Sequence, residues 1–231
     1  MPPQKQRGNN GNGDKPDRLH RGIKNDRIYR MLLSDIGGKL TQYRIAKIAQ
    51  AQQIQVSLLL RKLENSHLVS RTHVVDAKGL LTRWSRLKVK YQSQSYMLPS
   101  IMDALKTTKL EYGLTTYRAE SMVNRYLFTS RTEFYIRPED SDLWHALLVK
   151  EGALVGGGNV RVRWYDDQVL YNSFFIEGFR LVTIPQLIVD LIREGSSAAE
   201  AAEQMIQKYH DLMRLNQLNL YRPRQTQEST Q

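Results

Sequence analysis

Apolar positions in the first third of the chain recur with the period of a helix. Ile28, Met31, Leu32 and Ile36 lie three or four residues apart and Gly37-Gly38 closes the run, which predicts a helix from about Lys24. In the stretch Leu40 to Ala49, Thr41 is the expected N-cap of a short helix that buries Ile45, Ala46 and Ala49. Gln50 to Gln53 is a polar break. Val56, Leu59, Leu60 and Leu63 then mark the inner stripe of a third helix over about 53–65. After Ser66 the period becomes extended. His67 to Val75 reads as a strand, Asp76-Ala77-Lys78-Gly79 as a turn, and Leu80 to Val89 as the returning strand. Three helices followed by a two-stranded hairpin predict a winged helix-turn-helix over 23–90.

The rest of the chain has a different texture. Helices are expected at Tyr96–Leu110, Thr116–Tyr126 and Ser141–Lys150, and strands at Glu133–Arg137, Val160–Tyr165, Val169–Phe175 and Phe179–Val182. Thr183-Ile184-Pro185-Gln186 has capping-box spacing with Pro in the first turn, opening a helix through Arg193 that stops at Gly195. Ser197-Ala198-Ala199-Glu200 is a second such box, starting a last helix to about Arg214. The small residues of that helix suit close packing, a dimer seam included. The fold class expected is α+β, an N-terminal winged helix-turn-helix followed by a mixed α+β C-terminal domain over 91–220. Residues 1–22 read as a disordered basic arm and 221–231 as a flexible tail.

Charge sharpens this division. The formal net charge of +11 is unevenly placed: residues 1–90 hold 19 Lys and Arg against 6 Asp and Glu, a net of +13, whereas residues 91–231 hold 15 against 17, a net of −2. A basic half joined to a near-neutral half suits a chain whose first part lies on a polyanion. No apolar run approaches the roughly 18 residues of a membrane span, the first 22 residues lack the apolar middle of a secretory leader, and cysteine is absent. The expectation is a cytoplasmic protein without membrane association.

In a helix-turn-helix the second helix enters the major groove and the first crosses the backbone. With Val56, Leu59, Leu60 and Leu63 inward, the helical step turns Ile54, Ser57, Leu58, Arg61 and Lys62 outward. Gln52, Gln53 and Gln55 stand at its N-terminal end. Gln can read adenine, Arg guanine, and an apolar side chain the thymine methyl. Thr41, Gln42 and Tyr43 begin the first helix of the pair and join the candidates. Arg71, His73, Lys78 and Arg83 would lie along the wing and touch phosphate or the minor groove.

The run Leu40 to Val69 resembles the winged helix-turn-helix of archaeal and bacterial regulators. The wider chain, over roughly 24–210, resembles the AbiEi-type antitoxins of type IV toxin–antitoxin systems, in an archaeal branch of transcriptional regulators. The segments that carry this are Thr115 to Glu120, Tyr135 to Asp140 and Val182 to Leu191. The resemblance implies operator binding by the N-terminal domain, often as autorepression, and antitoxin activity or partner contact by the C-terminal domain.

Little in the chain points to catalysis. Gly156-Gly157-Gly158-Asn159 lacks the Gly-Lys-Ser/Thr that ends a phosphate loop. Asp166-Asp167 would point to opposite faces of a strand and reads better as a turn. The five histidines are scattered, without carboxylates at ligand spacing. No catalytic residue, cofactor or metal is assigned. The function expected is a sequence-specific regulator that binds double-stranded DNA and is not an enzyme. The alternatives are a non-specific DNA- or RNA-binding protein and a nucleotidyltransferase-like enzyme that uses Asp166 and Asp167. A homodimer, and a cognate toxin or other protein at the C-terminal domain, are the further partners the sequence allows.

Overall fold

The computed structural model describes residues 16–129 and 131–218. The expected basic arm lies outside the described residues up to position 15, and the expected tail lies outside them entirely. The first helix, α1 (Pro16–Ser34), starts earlier than the apolar pattern suggested. It is followed by α2 (Gln42–Ile48) and α3 (Gln53–Glu64). Thr41 caps α2 as expected, its Oγ1 accepting the Arg44 N–H at 3.3 Å. Ile45, Ala46, Val56, Leu60 and Leu63 are buried, whereas Leu59 is only partly so.

The hairpin that follows is small. Strands β1 (Val69–Ser70) and β2 (His73–Val74) pair antiparallel around Arg71-Thr72. The Val74 N–H donates to Ile36 O at 3.0 Å, tying the hairpin to the loop after α1. Gly38 makes this approach: its φ is +68°, and a Cβ there would stand 2.8 Å from the His73 nitrogen.

The expected returning strand is instead a helix, α4 (Ala77–Ser85). Asp76 is its N-cap, accepting the Gly79 N–H at 2.8 Å, so residues with turn chemistry begin a helix. Leu80, Leu81 and Trp84 are fully buried by α4, at a spacing that one helix face satisfies.

The remainder is mixed α and β, built on one seven-stranded sheet with the order β6-β3-β7-β5-β4-β9-β8. The strands are β3 (Gln92–Met97), β4 (Tyr112–Thr115), β5 (Thr132–Ile136), β6 (Leu154–Val155), β7 (Val160–Trp164), β8 (Phe174–Ile176) and β9 (Phe179–Leu181). Two adjacent pairs, β5 with β7 and β4 with β9, are parallel. The helices are α5 (Met102–Thr107), α6 (Thr116–Val123), α7 (Ser141–Lys150), α8 (Ile184–Glu194), α9 (Ser196–Gln207) and α10 (Tyr209–Leu218). Strands and helices therefore interleave. The expected helix over Tyr96–Leu110 is β3, a loop and the short α5. The expected strand from Val169 is a 3-10 turn (Asp167–Leu170) before β8, and the expected last helix breaks after Gln207 into α9 and α10.

Alternation along the strands separates the two sheet faces. Tyr112, Leu114, Phe134, Ile136, Val160 and Val162 form one apolar face, covered by Trp144 and Leu148 of α7. Trp144 meets Phe134 with ring centres 5.0 Å apart. The other face presents Thr115, Glu133, Tyr135, Arg161 and Arg163 toward α8. Thr183 caps α8, and Pro185 lies in its first turn. Every residue of α8 from Ile184 to Leu191 is buried, because the sheet, α6, α9, α1 and α4 surround it.

A buried polar network passes through this packing. Arg30 Nη2 on α1 donates to Asp26 Oδ2 at 2.6 Å, Tyr165 OH at 2.9 Å and Gln186 Oε1 at 2.9 Å. Trp84 Nε1 donates to the other Asp26 oxygen at 2.6 Å. Gln186 Nε2 donates to Asp190 Oδ1 at 2.9 Å, and Thr115 and Tyr135 complete the shell of that carboxylate. Burial pushes the Asp190 carboxyl upward, opposed by Arg163 and Arg193. Arg163 pairs with both Glu133 and Glu194.

Removing one partner of a fully buried pair leaves an uncompensated charge. Asp26→Ala is therefore expected to lower stability by about 3–5 kcal/mol in urea unfolding. Asp26→Leu combined with Arg30→Met, which removes both charges, should cost less. A loss below about 1 kcal/mol for Asp26→Ala would place that pair outside the groups that hold the fold.

Candidate nucleic-acid interface

Helices α2 and α3 meet through Ala49 to Gln52, and their apolar faces pack inward against α1. Their first turns open toward solvent on the same side. Gln42 and Tyr43 from α2, with Gln53, Ile54 and Ser57 from α3, line one shallow depression. Tyr43 is 61% and Ile54 63% exposed, so this surface is apolar at its centre and amide-rich around it. Leu58, Arg61 and Lys62 are exposed farther along α3, Gln52 just before its first turn, and Thr41 at the start of α2.

Two basic residues not singled out in the sequence belong to the same helix pair. Arg44 and Lys47 are exposed on α2. The signal was present, because burying Ile45, Ala46 and Ala49 turns positions 44 and 47 outward. Arg44, Lys47, Arg61 and Lys62 form no ion pair among the described residues.

Other predicted positions are placed differently. Gln55 turns toward α1, where its Nε2 donates to Asn25 Oδ1 at 3.1 Å. Arg71, at the hairpin tip with φ +56°, is exposed, and its backbone N–H is held by Glu64 Oε1 at 2.6 Å. His73 is exposed on β2. Lys78 and Arg83 are not on a wing strand, because that segment is α4. Lys78 pairs with Glu203 of α9 at 2.9 Å, and Arg83 donates to Ser66 Oγ at 3.0 Å.

The helix pair is fixed from behind by residues distant in sequence. Arg27 on α1 donates through Nε and Nη2 to both oxygens of Asp166, at 2.9 and 2.7 Å. Its Nη1 reaches Gln50 Oε1 at 2.7 Å and Ala49 O at 3.3 Å, in the turn between α2 and α3. Gln168 Nε2 donates to Ile48 O at 2.7 Å. The segment 166–168 at the end of β7 thus clamps the end of α2. Burial raises the Asp166 carboxyl, but the Arg27 hydrogen bonds and the nearby Arg30 outweigh it and hold the group below the ordinary carboxylate range. Burial and the neighbouring Asp166 push Asp167 upward. With Asp166 committed to Arg27, this pair is not arranged as two free metal ligands. Among the described residues no three His, Asp or Glu side chains gather around a common point, and no helix is long and apolar enough to cross a membrane.

Comparison of the chain with protein-family models, with curated proteins and with solved structures finds no match.

Asp166→Asn is expected to cost about 2 kcal/mol and to speed hydrogen exchange of the amides at 49–52, because it removes the charged partner of Arg27. In the unmodified protein the folded-state carboxyl lies below its unfolded value. The stabilisation is therefore present above the ordinary carboxylate range and lost as pH falls through the folded-state value. Unchanged exchange at 49–52 in the variant would show that the clamp does not hold the turn.

Proposed function

We propose that the chain is a regulator that binds double-stranded DNA and reads sequence through α3. In this reading α1 to α3 and the short β1–β2 hairpin act as a compact winged helix-turn-helix. The observation that supports it is the exposed face shared by α2 and α3. Amides and an aromatic surround one depression there, and four cations that form no ion pair among the described residues flank it. A solvated basic face needs no such convergence of two helix N-terminal turns, whereas a groove-reading helix pair does.

Each group then has a chemical part. Arg44, Lys47 and Lys62 neutralise phosphates and give affinity that falls with salt. Gln53 offers the paired donor and acceptor that match adenine, and Arg61 the fork that matches guanine. Ile54 and Leu58, costly to leave in water, pack on thymine methyl groups. Tyr43 and Gln42 meet the strand backbone, and Arg71 and His73 at the hairpin reach the flanking phosphates. Gln55, Lys78 and Arg83 are left out, since each has a partner elsewhere in the fold. The net charge of +13 over residues 1–90 also suits a second reading, sequence-independent binding to DNA or RNA.

Titration against the chain's own promoter and a scrambled duplex at two salt concentrations separates these readings. A regulator is expected to favour the promoter by roughly a thousandfold. Preference for its own promoter is also what the autorepression implied by the antitoxin resemblance requires. Equal affinity for both duplexes supports the sequence-independent reading, and no duplex binding sinks the regulator and leaves RNA as the partner of the second reading. Arg61→Ala with Lys62→Ala should flatten the dependence of log K on log salt by about one, since Lys62 is the member of the pair assigned to phosphate. An unchanged slope would remove α3 from the docking face.

A further inference from the structure

The end of the sheet formed by β3 and β6 carries an uncovered apolar surface. Met97 is 50%, Leu154 71% and Val155 56% exposed, and on the flank of α7 that carries His145, Val149 is 48% exposed. These residues adjoin. Helix α7 runs into β6 through a turn closed by Gly152 N–H to Val149 O at 3.0 Å and Ala153 N–H to Leu148 O at 2.9 Å. Tyr96 on β3 reaches His145 Nδ1 on α7 at 3.0 Å. Val155 lies opposite Tyr96 and so shares the α7 face, while Leu154 and Met97 pair on the other face. The apolar surface therefore wraps around the edge strand.

Exposed edges are normally blunted by charge, proline, a covering element or shortness, and the two-residue β6 has the last of these. Here β6 is the last strand of its sheet, and no charged residue or proline occurs from Gly152 to Val160, in a chain that is 25% charged. Asp142, Lys150 and Glu151 are exposed at the rim. An apolar centre free of charge within a charged rim is the composition of a protein interface.

We infer that two copies of the chain meet at this edge, β6 pairing antiparallel with its counterpart across a two-fold axis and the exposed side of α7 packing beside it. A second copy fits for three physical reasons. An antiparallel edge is its own complement, which is the geometry of an isologous contact. Residues 91–231 carry a net of only −2, so two copies approach here without strong repulsion. Four large side chains exposed by about half or more supply several hundred Å² of apolar surface, a suitable core for the roughly 800 Å² per partner that a stable dimer buries.

The inference is independent of nucleic-acid binding and is tested without it. The full chain has no cysteine, so single cysteines report proximity directly. Leu154→Cys or Val155→Cys under mild oxidation should give a reducible cross-linked dimer, whereas Val75→Cys, 59% exposed just after β2, should not. Sedimentation equilibrium of the unmodified chain should show a dimer at micromolar concentration. Leu154→Glu with Val149→Glu should weaken it at least about a hundredfold, by setting like charges against each other, with circular dichroism unchanged. A monomer at every concentration, equal cross-linking from position 75, or a dimer indifferent to the two glutamates would each overturn the inference.

Discussion

The buried pair of Asp26 and Arg30 is the contact on which the rest of the arrangement depends. Both side chains are fully withdrawn from solvent, so each would be costly without the other. Satisfying them draws in Trp84 from α4, Tyr165 from the end of β7 and Gln186 from α8. The charge that α1 carries inward therefore decides where α4 lies, where the sheet ends and which face of α8 turns toward the N-terminal helices. Asp190, one turn beyond Gln186, carries the same chain of hydrogen bonds into the sheet through Thr115 and Tyr135.

The clamp behind the exposed helix pair follows from that packing. Once Tyr165 is held by Arg30, Asp166 stands next to it in sequence and faces Arg27, one turn before Arg30 on α1. Arg27 then has donors left for the turn between α2 and α3. The orientation of the candidate reading helix is in this way set by the sheet, through two residues of α1 spaced three apart.

The amphipathic helices α2 and α3 were legible because their inner stripes and the Thr41 cap are local signals. Segment 76–89 was misread for an equally local reason. Asp followed by Gly three residues later serves a turn and a helix cap alike, and only the burial of Leu80, Leu81 and Trp84 together favours the helix. Strand β3 was hidden by its composition, since Gln92-Ser93-Gln94-Ser95 carries no apolar alternation. The polar network and the clamp join residues 139 positions apart, as in Arg27 with Asp166, and no periodicity encodes such a pairing. Two of the predicted site residues have partners of the same long-range kind: Gln55 meets Asn25 and Lys78 meets Glu203.

The alternation in β7 has a consequence for how the sheet assembles. Val160 and Val162 face the aromatic core of Trp144 and Phe134, while Arg161 and Arg163 face the carboxylate of Glu133. A slip of one residue against β5 or β3 would exchange the two sets, driving both guanidinium groups into hydrocarbon and leaving Glu133 with Arg131 as its remaining cation. The shifted register is therefore unfavourable on both faces at once, and the ionic face enforces the register of the hydrophobic one.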